Sequence, residues 1–163
     1  MMYTFAERLA HGARGEAQFE YACRQRGAQV TNIGVASRMP QSHLDSLHFM
    51  GARFPGPDQA VSKHMPDGRD VKLLADVKTS MRWTSPEFMR WHIGPDCIVA
   101  VTAAGKSWNM TPLFGLVDPY GWQCYGIAPE EVLRAGQWDP ETGMYIVYAY
   151  QALHIDVLLG PLL

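Results

Sequence analysis

An aspartate and a lysine, Asp76 and Lys78, stand two positions apart where the apolar run of KLLADVKTS (residues 72–80) ends. Side chains of a strand alternate between its two faces, so both polar side chains project the same way. The apolar residues at odd-numbered positions project the other way; they are Val71, Leu73, Ala75 and Val77. Carboxylate oxygens are the hard ligands that Mg²⁺ and Mn²⁺ prefer. An ion pair at a solvated strand edge is the alternative interpretation of a lone D-x-K triplet.

A hairpin is expected to bring a further acid to this pair. Residues 59–65 and 70–79 have strand character and are joined by a turn in PDGR. If residues 67–69 form a three-residue loop with Gly68 in the left-handed conformation, the strands pair with an even register. A two-residue Asp-Gly turn is the alternative, and it would send Asp58 to the other face unless a bulge compensates for it. We expect the three-residue loop or such a bulge.

The three-residue loop predicts a cluster of polar groups. In that register Asp58 lies opposite Lys78 and Asp76 opposite Ala60. Opposed side chains share a face at about 5 Å between Cβ atoms, so Asp58, Asp76 and Lys78 would converge. The second triplet of the strand, Asp70-Val71-Lys72, would lie about 25 Å from Asp58, too far to share an ion with it.

Other elements alternate in type along the chain. A helix is expected from a cap at Thr4 to about Arg26, with interruptions possible at its two internal glycines. The apolar and turn patterns then predict the remaining elements, which are a strand in AQVTNIG, an irregular connection over 35–57, a helix in TSPEFMRWHIG, strands in CIVAVT and LFGLVD, a helix in APEEVLRAG and a strand in MYIVYAY. The order predicts an α/β protein, bordering on α+β, with a mixed sheet.

Composition limits the classes of protein. The 163 residues, 47% hydrophobic, are enough for one domain spanning 1–163. With 14 basic and 16 acidic residues, net charge gives no argument for nucleic acid binding. No apolar run reaches membrane-spanning length and the first residues lack a secretion-signal pattern, so a cytoplasmic protein is expected. Three cysteines and the spacing of His43 and His48 indicate neither disulfides nor a zinc site.

These residues together resemble the PD-(D/E)XK nuclease superfamily. The correspondence consists of Gly15-Glu16 in the first helix, Pro57-Asp58 opening the second strand and Asp76-Val77-Lys78 ending the third. It is nearest to small Holliday-junction resolvases and to phage and bacterial nucleases, because Glu16 and Gly27 keep the spacing of their G-x-x-G-E helix. The resemblance covers residues 5 to 103. It implies a restriction-endonuclease-like mixed β-sheet flanked by helices, with core order α-β-β-β-α-β.

The resemblance also implies a mechanism. Asp58 and Asp76 would bind Mg²⁺ or Mn²⁺, with the Val77 carbonyl as a further ligand. Lys78 would position or help deprotonate the attacking water and offset charge on the phosphorus. Glu16 would complete the shell around the ion, and Glu20, one turn further along the same side of the helix, is its rival.

Residues that follow the D-x-K triplet are candidates for contacts with nucleic acid. They are Thr79, Ser80, Arg82 and Arg90, whose hydroxyl and guanidinium groups can bind phosphates. Trp83 could stack on a base, and Trp83 and Trp91 are equally expected in the core.

We therefore expect a divalent-metal-dependent nuclease that hydrolyses phosphodiester bonds, most readily in DNA. The apolar segment MYIVYAYQALHIDVLL suggests a surface buried in a homodimer, since paired active sites suit a junction resolvase or a duplex-cutting enzyme. A catalytically silent protein of the same fold, which binds nucleic acid or a protein partner, is the alternative. An unrelated α+β binding module with both D-V-K triplets on its surface is a third.

Overall fold

The computed structural model describes residues 5–34, 56–80 and 89–163. Several predicted features lie outside these ranges, among them most of the connection over 35–57, the histidines 43 and 48, and the start of the helix expected in TSPEFMRWHIG. In chain order, the described elements are α1 Phe5–Arg24, β1 Gln29–Asn32, β2 Gln59–His64, β3 Asp70–Thr79, β4 Arg90–Ile93, α2 Pro95–Trp108, β5 Thr111–Asp118, β6 Gln123–Ile127, α3 Pro129–Ala135, β7 Gln137–Asp139, β8 Met144–Tyr148, a 3₁₀ turn Ala149–Gln151, β9 Leu153–His154 and α4 Ile155–Leu159.

A six-stranded mixed sheet forms the centre of the protein. Its strand order is β1-β2-β3-β5-β6-β9, and β3 and β5 are parallel while the other neighbours are antiparallel. The connection from β3 to β5 passes through α2, as a parallel pair requires a crossover. The predicted fold class and the core order α-β-β-β-α-β are confirmed by α1, β1, β2, β3, α2 and β5.

Apolar side chains cover both faces of this sheet. On one face α1 and α4 pack on alternate residues of the central strands, including Leu73, Ala75 and Val77 of β3. On the other face α2, α3 and a second sheet of order β4-β8-β7 pack on Phe114 and Leu116 of β5. Burial on both faces explains why β3 and β5 are nearly continuous apolar runs, and makes any polar side chain within them costly.

Helix α1 runs without a break through both of its internal glycines. Gly15 is needed for packing, because a Cβ atom at this position would overlap Oγ1 of Thr79 at the end of β3. A Cβ atom built on Gly12 meets no atom of the described residues within 4 Å beyond its own stretch of helix. Gly27 ends the helix region with a φ of 81°, a conformation in which glycine avoids the strain of a side chain.

The β2–β3 hairpin has the expected even register but is displaced by two residues. Met65 pairs with Arg69, so the loop is residues 66–68, one position earlier than expected, with Gly68 at a φ of 91°. Gln59 therefore lies opposite Ala75 and His64 opposite Asp70. The predicted pairings of Asp58 with Lys78 and of Asp76 with Ala60 are wrong, but the side chains of Asp58 and Asp76 still lie close enough to interact directly.

Two predictions between β3 and β5 are also wrong. Residues 90–93, expected to end a helix, form β4, whose side chains alternate between exposed and buried. Residues 97–102, expected to form a strand, lie within the helix α2. The predicted strands in LFGLVD and MYIVYAY and the helix in APEEVLRAG are confirmed by β5, β8 and α3. None of the described helices combines the length and apolar character needed to span a membrane.

The two glycines of α1 offer a matched test of its packing. Gly15→Ala is expected to lower the free energy of unfolding by about 1–3 kcal/mol, because the new methyl group must displace Thr79. Gly12→Ala is expected to raise it by about 0.5–1 kcal/mol, because it removes backbone entropy without a clash. Urea unfolding measures both values. Equal changes in the two variants would contradict the contact between α1 and β3.

Candidate active site

Two acidic side chains meet where β2 begins and β3 approaches its end. The backbone N–H of Asp58 donates a hydrogen bond of 2.7 Å to the carbonyl of Ala75, the residue with which Gln59 pairs, so Asp58 is held against β3. The carboxylate Oδ2 of Asp58 accepts a hydrogen bond of 2.8 Å from the backbone N–H of Val77. Asp58 is thus next to Asp76, rather than opposite Lys78 as the sequence suggested.

Lys78 lies against the second of these acids. Its Nζ is 3.3 Å from Oδ1 of Asp76 and donates a hydrogen bond of 3.2 Å to Sγ of Cys97. Cys97 is in the first turn of α2, so the start of this helix helps to fix the lysine. Burial by itself would lower the pKa of Lys78, but the negative charge of Asp76 and Asp58 outweighs this and raises the pKa. Lys78 therefore stays an ammonium group at neutral pH.

Helix α1 brings Glu16 to the same place. The close contact of Gly15 with Thr79 sets the position of the next residue, and the Glu16 backbone carbonyl accepts a hydrogen bond of 2.8 Å from Nε2 of Gln59. The Glu16 side chain shares a hydrogen bond with Asp58, which two carboxyl groups can do only when one of them carries a proton.

The rival acid, Glu20, points elsewhere. Its carboxylate accepts a hydrogen bond of 2.6 Å from Asn32 and lies 3.7 Å from the Arg24 guanidinium. Both of these partners are on the side of α1 toward β1. The geometry therefore associates Glu16 with Asp58 and leaves Glu20 outside the cluster.

Burial of several acids together changes their proton affinities. Desolvation is the largest cause that raises the pKa of Asp58 to about 7, and the charge of Glu16 raises it further against the hydrogen bond from Val77. Desolvation also raises the pKa of Asp76 to about 7, and the charge of Asp58 adds to this effect while Lys78 opposes it. The pKa of Glu16 is raised too, mainly by burial. One ammonium group faces three carboxyl groups, so the cluster carries a net negative charge when all three carboxyl groups are ionised.

These residues fit a small divalent cation. Asp76 Oδ2 is buried and accepts no hydrogen bond from the described residues. Carboxylate oxygens suit Mg²⁺ or Mn²⁺, and a cation would remove the repulsion that raises these pKa values. Across ranges 5–34, 56–80 and 89–163, however, no group of three or more His, Cys, Asp or Glu side chains is arranged as a formed metal centre. The Val77 carbonyl stays a predicted ligand.

The second D-V-K triplet is separate from the cluster. Asp70 Oδ1 lies 2.7 Å from Nδ1 of His64 beside the loop that closes the hairpin, where both side chains are exposed. Lys72 is exposed as well. Asp70 and Lys72 are thus solvated, as in the alternative interpretation of a D-x-K triplet, although the ion-pair partner of Asp70 is His64 of the neighbouring strand.

The candidate contacts with nucleic acid differ in exposure. Ser80 is only 2% exposed, and its carbonyl accepts a hydrogen bond of 2.7 Å when Nε2 of His11 acts as donor, so it serves the attachment of α1 to β3. Thr79 packs on Gly15, and Arg90 is exposed on β4. Trp91 is a core residue whose Nε1 donates to the Val117 carbonyl. Arg82 and Trp83 lie outside the described residues.

Two residues of this region were not selected from the sequence. Gln59 is fully buried, and its Oε1 has no hydrogen-bond partner among the described residues although its Nε2 binds the Glu16 carbonyl. An amide directly after Asp58 at a core-facing strand position was the available signal. Cys97 contacts Lys78, and no pattern in the sequence could have revealed that contact.

The architecture is that of a known class of nuclease folds, in which a mixed sheet is flanked by helices. One solved structure with this fold is Hjc of Archaeoglobus fulgidus, a Holliday junction resolvase from an archaeal hyperthermophile, with a TM-score of 0.58 and 14% identity over 93% of this chain and 98% of that chain. D212, a nuclease from a fusselovirus, matches with a TM-score of 0.42 and 8% identity over 95% and 90% of the two chains. No protein-family model and no curated protein matches the sequence.

Stability should depend on pH through the buried acids. Their carboxyl groups titrate near 3.8 in the unfolded chain and near 7 in the fold, so the folded state binds more protons between these values. The free energy of unfolding, without added metal, is expected to fall by a few kcal/mol as pH rises from about 4 to about 7. Adding Mn²⁺ should restore stability mainly at the upper end of this range.

Asp58→Asn removes one carboxylate and should flatten this pH dependence and weaken the Mn²⁺ effect. Glu141→Gln, at an exposed position away from the cluster, is the control and should keep both. Thermal unfolding across the pH range measures the outcome. If Asp58→Asn and the unmodified protein have identical pH profiles, repulsion between the Asp58 carboxylate and its neighbours does not contribute to the pH dependence of stability.

Proposed function

We propose that this protein is a divalent-metal-dependent nuclease of the PD-(D/E)XK type that hydrolyses phosphodiester bonds in DNA. The observation that carries the proposal is the meeting of Glu16, Asp58, Asp76 and Lys78 at one end of a sheet. The fold shared with Hjc, described as a Holliday junction resolvase, supports a DNA substrate. A core made only for stability would avoid one buried and two half-buried acids around one lysine.

Each residue has a role in the proposed reaction. Asp58 and Asp76, with the Val77 carbonyl, would hold Mg²⁺ or Mn²⁺, and Glu16 would complete the shell. When bound, the cation would neutralise charge on the phosphate and make a water molecule more acidic. Lys78 would orient the attacking water and donate to a phosphate oxygen. Its raised pKa favours this role over proton abstraction, because an ammonium group has no lone pair to accept a proton.

Cleavage assays with paired variants test this proposal. Purified protein is incubated with linear, circular, single-stranded and four-way DNA, with Mg²⁺, with Mn²⁺ or with EDTA. Asp76→Asn and Lys78→Met should each lower the rate at least about a hundredfold, because one removes a cation ligand and the other a charge on the transition state. The control pair, Asp70→Asn and Lys72→Met, alters the other D-V-K triplet of the same strand and should leave the rate unchanged.

The pattern of results distinguishes the alternatives. Metal-dependent cutting that persists in Asp76→Asn and Lys78→Met would reject the assigned site. If no sample cuts any DNA, while calorimetry of the unmodified protein detects neither Mg²⁺ nor Mn²⁺ binding, a catalytically silent protein of this fold becomes the better description.

We further propose that the protein acts as a homodimer through its C-terminal region. Tyr150, Leu153 and Val157 are large apolar side chains that are exposed within eight residues of sequence. Such side chains favour association when they form a contiguous patch. Val157→Asp should shift the protein toward the monomer in sedimentation equilibrium, whereas Val99→Asp, at an equally exposed position on α2, should not. A monomer at all concentrations would refute the dimer.

A further inference from the structure

A groove lies beside α1, on the side of the helix away from Glu20. Its volume is about 730 Å³. The described residues that line it include the rings of Tyr21, Tyr120 and Trp122 and the basic side chains of Arg14 and His11. No carboxylate is among the described lining residues. The groove thus combines aromatic surfaces with positive charge.

One wall of the groove is the turn between β5 and β6, which is held firmly. The Asp118 carboxylate accepts hydrogen bonds from the backbone N–H groups of Tyr120, at 2.9 Å, and Gly121, at 2.8 Å. The Asp118 carbonyl accepts a further bond of 2.9 Å from Nε2 of Gln18 on α1. The two walls are therefore fixed to each other before any ligand binds, which lowers the entropic cost of binding.

Trp122 has a conformation and an exposure that packing does not explain. Its φ is 55°, in the left-handed region that bulky residues rarely adopt, and its side chain is 71% exposed. Glycine or asparagine would satisfy this turn with less strain. Strained residues that contribute nothing to the core occur most often at binding and catalytic sites. The exposed ring of Trp122 therefore indicates a ligand-binding site.

The chemistry of the groove selects unpaired nucleotides. Aromatic rings bind nucleobases by stacking, whatever the base, and arginine pairs with phosphate or stacks on a base. A fully paired duplex offers no free base faces to these rings. Because the net charge of the protein is −2, affinity for a nucleic acid has to come from such local groups rather than from a general basic surface.

The groove and the candidate active site both lie at the carboxyl end of the parallel strands β3 and β5. Thr79 of β3 is paired with Val117 of β5, and the N–H of Ser80 donates to the Val117 carbonyl. Asp118, which holds the groove turn, therefore lies one strand away from the residues that follow Lys78. Neighbouring strands are about 4.8 Å apart, and α1, about 10 Å wide, separates the groove from Glu16.

We propose that this groove binds the unpaired bases of a DNA strand that leaves the duplex next to the scissile phosphate. The inference rests on the proposed nuclease function, and it specifies the substrate as DNA with a single-stranded portion beside the cleavage site. The three rings hold the bases, and Arg14 contacts the backbone.

Binding in EDTA tests the groove separately from cleavage. The affinity of a short fluorescent oligothymidylate is measured by anisotropy for the unmodified protein and for Trp122→Asn, which suits the left-handed backbone and should fold normally. Trp122→Asn and Arg14→Gln should each weaken binding about tenfold, equivalent to about 1.4 kcal/mol. Trp138→Ala, which removes another exposed tryptophan on β7, is the control and should bind normally.

Cleavage of two substrates gives the second measurement. With Mg²⁺, Trp122→Asn should cut DNA with a splayed single-stranded arm more slowly than the unmodified protein does, and should cut fully paired duplex at the same rate. Unchanged oligothymidylate binding in both Trp122→Asn and Arg14→Gln would overturn the proposal even if the protein cuts DNA. Loss of binding in these variants alone would support the groove even if no sample cuts DNA, in which case the nuclease function fails separately.

Discussion

The buried carboxylate of Asp76 is the constraint on which this end of the molecule depends. Its side chain belongs to a central strand and is only 3% exposed, so its charge has to be balanced inside the protein. Lys78 supplies one positive charge at 3.3 Å, and Asp58 and Glu16 add more negative charge nearby. Burial is the largest cause that raises the pKa of Asp58 and of Asp76 to about 7, and repulsion between the neighbouring carboxylates adds to it. The arrangement stores an unfavourable electrostatic energy that a divalent ion would release.

How far the sequence predicts this site depends on the period of a strand. Alternation with period two is enough to assign Asp76 and Lys78 to one face and the apolar residues of β3 to the other, whatever the register. The exact neighbour of Asp58 requires the loop, and PDGR can be closed in several ways. A loop that begins one residue earlier moves each pairing of β2 by two positions along β3, which keeps the even register. The face shared by Asp76 and Lys78 could therefore be predicted, and the neighbour of Asp58 could not.

The errors between β3 and β5 have a different cause. CIVAVT is a short apolar run, and such a run fits a buried helix as well as a strand. Pro95 at the first position of α2 and Asp96 in its first turn are helix-start signals, but TSPEF offers the same combination nine residues earlier. The alternation of RWHI favours a strand, and its core residues Trp91 and Ile93 pack on the far side of the central sheet. Tertiary packing, rather than local preference, decides between these assignments.

Helix α1 lies between the candidate active site and the groove, and it contacts the sheet at Gly15, a residue without a side chain. Gly15 allows the helix axis to approach Thr79, and a helix at this distance presents different residues on its two flanks. Glu16 then reaches Asp58 on one flank, while Arg14 and Gln18 face the groove turn on the other. Because each residue turns the helix by about 100°, neither flank can be repositioned without the other. The Gly15-Glu16 pair therefore combines a close packing contact with an acid, and α1 at this distance from the sheet separates the carboxylate cluster from the aromatic groove.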